Sequence, residues 1–301
     1  MKYPIVPTLG LAVFASISLV SQAMAVVSLS WTSIGNAGNL ADYNGYGTVN
    51  HAYNIGTYEV TNAQYVDFLN AKGTSNSAGI FNSTMATTGN YGSNITQSGS
   101  SGSYSYSVSS TYANMPIVGV TWFDAARFSN WLGNGQGSAS METGAYTLNG
   151  ATSGIITLNA GAGVYIPSED EWYKAAYYNG ASGTYSLYPN GQDTICAADA
   201  NYYPAATGLV DVGYGKASSY GTYDHGGNAW EWNDGVVNGT SRGIRGGSWD
   251  DGGFLASWGR YGFGPSSGVS DVGFRVASVP EPTFLTLTMI ASGVLMACRK
   301  R

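Results

Sequence analysis

The chain has 301 residues, 44% of them hydrophobic and only 10% charged, with a formal net charge of -6. That is enough apolar material for a full core, and the acidic balance excludes phosphate backbones as natural partners. The 43 glycines and 23 tyrosines fit a loop-rich exported protein, while two cysteines, Cys196 and Cys298, exclude a disulfide framework or a four-cysteine zinc centre.

Lys2 precedes an apolar run over residues 9–20, and Ala23-Met-Ala25 follows, the order of a secretory signal with cleavage after Ala25. An uncleaved anchor is the competing reading, but the run is short against the roughly 20 residues a span needs. At the other end Val279-Pro-Glu-Pro282 leads into mostly apolar residues 283–297 and then Arg299-Lys-Arg301. The basic cluster would stay cytoplasmic while the preceding domain sits outside. Without both ends the chain keeps 8 basic against 17 acidic residues, a net charge of -9, which favours cations and repels anionic membranes.

Between these ends, residues 31–58 read as short strands broken by Gly and Asn. Three helix starts follow. Thr61-Asn-Ala-Gln64 is a capping-box pattern with Tyr65, Phe68 and Leu69 on one face behind it. Thr121-Trp-Phe-Asp124, preceded by a strand over residues 115–120, opens a stripe of Ala125, Phe128, Trp131 and Leu132. Ser168-Glu-Asp-Glu171 opens a third helix containing Trp172, Ala175, Ala176 and Tyr178. Residues 73–114 are dominated by Ser, Gly, Thr and Asn and read as a solvated insertion. Three helices among short strands predict an α+β domain over residues 26–278.

The densest cluster of glycine, indole and charge is Asp224-His-Gly-Gly-Asn-Ala-Trp-Glu-Trp232, Arg245-Gly-Gly-Ser-Trp249 and Gly273-Phe-Arg275. Glu231, Arg245 and Arg275 must be paired if buried. Together with Tyr58-Glu-Val-Thr-Asn-Ala-Gln-Tyr65, Pro116-Ile-Val-Gly-Val-Thr-Trp122 and Ile166-Pro-Ser-Glu-Asp-Glu-Trp172, these stretches resemble the sulfatase-modifying factor, or formylglycine-generating enzyme, family over residues 30–278. The resemblance implies one compact domain with a C-type-lectin-like core, low in regular secondary structure. The tripartite tail at residues 279–301 resembles a PEP-CTERM sorting signal of Gram-negative bacteria. It implies processing by an exosortase, a short transmembrane helix that anchors the chain to the inner membrane before processing, and delivery to the cell surface or extracellular matrix. A plain tail anchor is the alternative.

The family's enzymes oxidise a cysteine to formylglycine with copper held by two cysteines, and the matching positions here are Asp251 and Ala256. Carboxylate and methyl cannot replace a pair of soft thiolates on copper(I), so no catalytic residue is assigned, although the neighbouring Ser248 and Trp230 are retained. The resemblance also implies calcium, with side-chain oxygens from Asp224 and Glu231 and carbonyls from Gly227 and Ala229, a hard-oxygen set suited to that ion. A second site would start at Asn201 and the Tyr202 carbonyl. The competing reading pairs Glu231 with an arginine such as Arg245 and leaves Asp224 capping a turn.

These residues predict a non-catalytic, calcium-stabilised surface or matrix protein that binds a polysaccharide or protein ligand. Phe254, Trp258, Arg260 and Tyr261 would form the ligand surface unless they are ordinary core. An oxidoreductase with a metal centre rebuilt around Asp251, and a diversified lectin-like binder, are the alternatives.

Overall fold

Each of the three expected capping boxes closes on its own backbone. The amides of Gln64, Asp124 and Glu171 donate to the Thr121-type caps Thr61 Oγ1, Thr121 Oγ1 and Ser168 Oγ, while each third-position side chain accepts from the cap amide in return. The motif satisfies two otherwise orphaned donors within four residues, which is why it could be read locally. The structure, a computed structural model, describes residues 26–280. The signal and sorting expectations at residues 1–25 and 281–301 lie outside the described residues. Among the described residues, no helix is long and apolar enough to cross a membrane.

In chain order the elements are β1 (Trp31–Ile34), β2 (Tyr53–Gly56), α1 (Asn62–Lys72), two 3₁₀ turns (Ser83–Ala86 and Gly89–Tyr91), β3 (Thr96–Ser98), β4 (Ser105–Ser107), α2 (Trp122–Gly133), β5 (Val164–Tyr165) and α3 (Glu169–Tyr177). They continue with β6 (Tyr178–Asn179), β7 (Thr184–Tyr185), β8 (Trp230–Val237), β9 (Ser241–Arg245), β10 (Tyr261–Phe263), β11 (Val272–Phe274) and β12 (Ala277–Ser278). Long connections separate these short elements, as expected of an α+β domain with little regular structure.

Two four-stranded sheets frame the domain, in the orders β1-β2-β12-β5 and β10-β9-β8-β11. In the second sheet β8 pairs antiparallel with β9 and parallel with β11, which sets Trp230 beside Val272 and Glu231 beside Gly273. An aromatic core from α1 and α2 packs behind it: Phe68, Phe128, Trp131 and Phe274 meet at ring-centroid distances of 5.2 to 5.9 Å. Residues 115–120 run extended but form no named strand. They are held by the bonds Asn62 amide to Met115 carbonyl and Ile117 amide to Val60 carbonyl.

The segment 73–114 departs from the solvated loop its composition predicts. Ile80, Met85, Ile95 and Tyr106 are buried, and Tyr65 and Tyr106 donate their hydroxyls to the carbonyls of Ile80 and Gly73. A few apolar side chains suffice because each docks on a surface already built by α1, so the segment needs no core of its own.

Burial pushes the Asp124 carboxyl from 3.8 up to about 6, against the hydrogen bonds from Thr121 that favour its ionised form. The native state therefore holds a proton that the unfolded chain has released between about pH 4 and 6, so this group makes stability fall as pH rises through that window. Asp124→Asn, which keeps the capping acceptor, is expected to gain stability relative to wild type by an amount on the order of 3 kcal/mol between these limits. Urea unfolding of both proteins at pH 4 and pH 6.5 checks this; parallel stabilities at the two pH values would refute it.

Candidate functional site

The turn entering β8 is built around close backbone approach. Gly227 has φ +78°, and an added Cβ would lie 2.2 Å from the Asn201 carbonyl oxygen. Asn228, also left-handed at φ 61°, donates its amide to that same carbonyl. Its side-chain amide donates to Glu59 Oε2 at 3.0 Å, and the Ala229 amide donates to Glu59 Oε1 at 3.2 Å. Glu59, two residues before the α1 cap Thr61, thus fastens the turn.

Glu231 is wholly buried and both its oxygens accept hydrogen bonds. Its Oε2 accepts from Trp172 Nε1 and Arg275 Nε, both at 2.6 Å, and Oε1 accepts from Arg275 Nη2. Arg275 also donates to the carbonyls of Gly56 and Tyr223. Its partner is thus not Arg245, although Arg245 lies directly opposite Glu231 in the β8–β9 register. Arg245 turns to Glu169, 2.8 Å from Nε, and Arg260 reaches the same carboxylate with two bonds at 2.7 and 2.8 Å.

Asp224 accepts from the amides of Gly213 and Tyr214. Burial, with the Glu231 charge adding to it, drives its carboxyl up to about 7, and burial beside Asp224 and Glu231 drives Glu59 well above its ordinary range. Three buried carboxylates face one guanidinium, Arg275. His225, stacked edge-on against Trp172 at 4.7 Å, is held neutral by burial and adds no positive charge.

This set fits calcium in part. A hard divalent cation suits carboxyl groups that burial otherwise drives toward their protonated forms, and Asp224 with the carbonyls of Gly227 and Ala229 belongs to one turn. Glu231 fits poorly as a direct ligand, because Arg275 and Trp172 take both acceptor sites of Oε2 and one of the two on Oε1. At the second expected position the Tyr202 carbonyl accepts from the amides of Ala205 and Ala206 at 3.1 and 2.9 Å, which uses both its lone pairs. The Asn201 carbonyl is taken by Asn228, and the Asn201 side chain donates to the Gly208 carbonyl and Asn228 Oδ1. Among the described residues, no three His, Cys, Asp or Glu side chains are gathered so as to hold a metal.

A pocket of about 290 Å³ opens on the face of the second sheet, lined by Trp230 of β8, Ile244 of β9, Tyr261 and Phe263 of β10, Phe254, Asp251 and Asp271. Asp251 Oδ2 accepts from Trp230 Nε1 at 2.6 Å and lies 3.0 Å from Ser248 Oγ. Ser248 Oγ is also 3.1 Å from Asp271 Oδ2. Burial raises the Asp271 carboxyl, and the neighbouring Asp251 and Asp250 charges raise it further. Ala256, the other position that matches a copper cysteine, is buried and does not line the pocket.

Of the expected ligand surface, Trp258 and Tyr261 are 55% and 52% exposed, Phe254 is half-buried between Trp230 and Trp258, and Arg260 is turned inward onto Glu169. Asp271 and Phe263 were not foreseen. Asp271 stands two residues before Gly273-Phe-Arg275, a proximity that could have flagged it.

Comparison with known proteins gives this geometry a family. The sulfatase-modifying factor enzyme 1-like domain matches residues 41–279. Over 122 residues the chain is 30% identical to the serine/threonine-protein kinase pkn1 of Chlamydia pneumoniae and, equally, to that of Chlamydia caviae. That match takes in 40% of this chain and only 14% of each kinase. The fold is similar to Treponema denticola variable protein 1, with TM-score 0.58 and 23% identity over 86% of this chain and 98% of that one. It is similar also to CarF, with TM-score 0.56 and 22% identity over 84% and 99%, and to PvdO from Pseudomonas aeruginosa, with TM-score 0.50 and 20% identity over 84% and 92%. With the family model spanning both sheets apart from β1, the turn before β8 and the pocket, the chain belongs to the sulfatase-modifying factor enzyme 1-like domain family.

Proposed function

We propose that this chain is an exported, non-catalytic ligand-binding member of its family, whose binding site is the pocket that replaces a copper centre. The observation that supports this most is the fate of the two cysteine-matched positions. Asp251 is tied to Trp230 and Ser248 at the pocket floor, and Ala256 is a buried methyl. Neither offers the soft thiolate that copper(I) requires. What the pocket offers instead is four aromatic rings and two carboxylates, a few polar groups set in an apolar wall, as in small-molecule sites.

The test has two arms. Purified protein incubated with copper(I) should hold no stoichiometric metal and convert no cysteine peptide to formylglycine, while a glycan and peptide array should yield a ligand whose capture is lost in Phe254→Ala. Stoichiometric copper with formylglycine product would replace this reading with the oxidoreductase one. Export through the signal at residues 1–25, and exosortase processing of the tail, belong to the same proposal; a mature N-terminus at Val26 is the expected result of Edman sequencing.

Calcium is proposed as a structural ion held by Asp224 with the carbonyls of Gly227 and Ala229. Its support is the gathering of three buried carboxyl groups, Glu59, Asp224 and Glu231, around the single guanidinium of Arg275. A cation bound only to the folded state stabilises it by mass action, so chelator should lower the melting temperature and added calcium restore it. Indifference to both would remove calcium from the reading.

A further inference from the structure

Ser248 Oγ lies within hydrogen-bond distance of Asp251 Oδ2 and of Asp271 Oδ2. A hydroxyl has one hydrogen, so it can donate to only one of them. The other contact sets lone pairs against lone pairs unless a proton or another cation enters between the carboxylates. Among the described residues no basic side chain pairs with Asp250, Asp251 or Asp271; the arginines nearest in the sheet are committed elsewhere, Arg245 and Arg260 to Glu169 and Arg242 to Asp234. The protein has built a negative floor and withheld its own cations from it.

The walls define which cation suits the floor. Trp230 and Phe254 meet at 5.3 Å between centroids, and Tyr261 and Phe263 at 5.3 Å, so two aromatic pairs border the same small space. Ring faces attract cations and cover alkyl stems equally well. A hydrated divalent ion would gain nothing from such walls, and sugar rings would present hydroxyls for which the pocket has few partners. At about 290 Å³ the space lies at the small end of ligand pockets and takes one side chain rather than a polymer.

Resting on the reading of this pocket as the ligand site, we infer that it receives a primary alkylammonium group on an unbranched stem, as on a lysine side chain of a protein partner. The ammonium would lie on Asp251 and Asp271, and the stem between the aromatic pairs.

Titration of the purified protein with pentylamine and with Nα-acetyl-lysine methylamide, followed by calorimetry and tryptophan fluorescence, tests this. Both should bind saturably. Nε-acetylation of the lysine probe should weaken binding by at least about tenfold, since it removes a charged hydrogen-bonding partner. Asp251→Asn and Asp271→Asn should each do the same, with thermal scans verifying that both variants remain folded. Equal affinity for the acetylated probe, unchanged affinity in both variants, or tighter binding of a glucosamine oligomer would overturn the inference. So would a divalent cation bound stoichiometrically through the same two aspartates in place of the amine. An array ligand that depends on Phe254 yet contains no amine would overturn the ammonium assignment and leave the pocket's role as a binding site intact. Loss of both arms would end the two together.

Discussion

Arg275→Met is expected to lose a large share of the protein's folding stability at 25 °C. Removing the guanidinium strands Glu231 at 0% exposure with only the Trp172 indole as donor, and also removes the donors that satisfy the Gly56 and Tyr223 carbonyls. Breaking a buried pair by deleting one partner costs about 3–5 kcal/mol, a large share of a stability near 5–15 kcal/mol. Arg275→Lys keeps the charge but cannot present the planar fork that spans both oxygens of Glu231, so it should fall between wild type and Met. The double variant Arg275→Met with Glu231→Gln should recover part of the loss, because the carboxylate that Arg275 pairs directly is then uncharged. Chemical denaturation of the four proteins measures this order. Equal stability of wild type and Arg275→Met would show that the pair holds nothing together.

Gly227→Ala should be nearly as damaging, for a different reason. A left-handed conformation costs a residue with a Cβ about 1–2 kcal/mol, and here the new carbon would also stand 2.2 Å from the Asn201 carbonyl oxygen. Backbone must move, and the bond from the Asn228 amide to that oxygen goes with it. Gly221→Ala supplies the control, since Gly221 has φ +90° but nothing within 4 Å of an added Cβ. The expected result is a small fall in melting temperature for Gly221→Ala and a fall several times larger for Gly227→Ala. Matching falls would mean that dihedral strain alone, not the approach to Asn201, demands glycine at 227.

The helix entries were legible because their physics is local. In Thr61 with Gln64, Thr121 with Asp124 and Ser168 with Glu171, donor and acceptor are three residues apart, so the sequence contains the whole interaction. The α+β class followed from those entries, and that residues 251 and 256 are Asp and Ala rather than cysteines is a matter of residue identity.

Partnerships made across the chain were decided by the tertiary structure. Glu231 takes Arg275 rather than Arg245, because the parallel β8–β11 pairing brings the end of β11 alongside it while Glu169 claims Arg245. Residues 73–114 look solvated by composition, yet they are anchored by the few side chains that α1 can cover. The pocket owes its floor to Asp251 and Asp271, twenty residues apart in sequence and joined only through Ser248. Sequence determines which groups are present and which near neighbours they bond; burial then forces each charged group to find a partner, and only the packed chain settles which partner, or which uncompensated pair, remains.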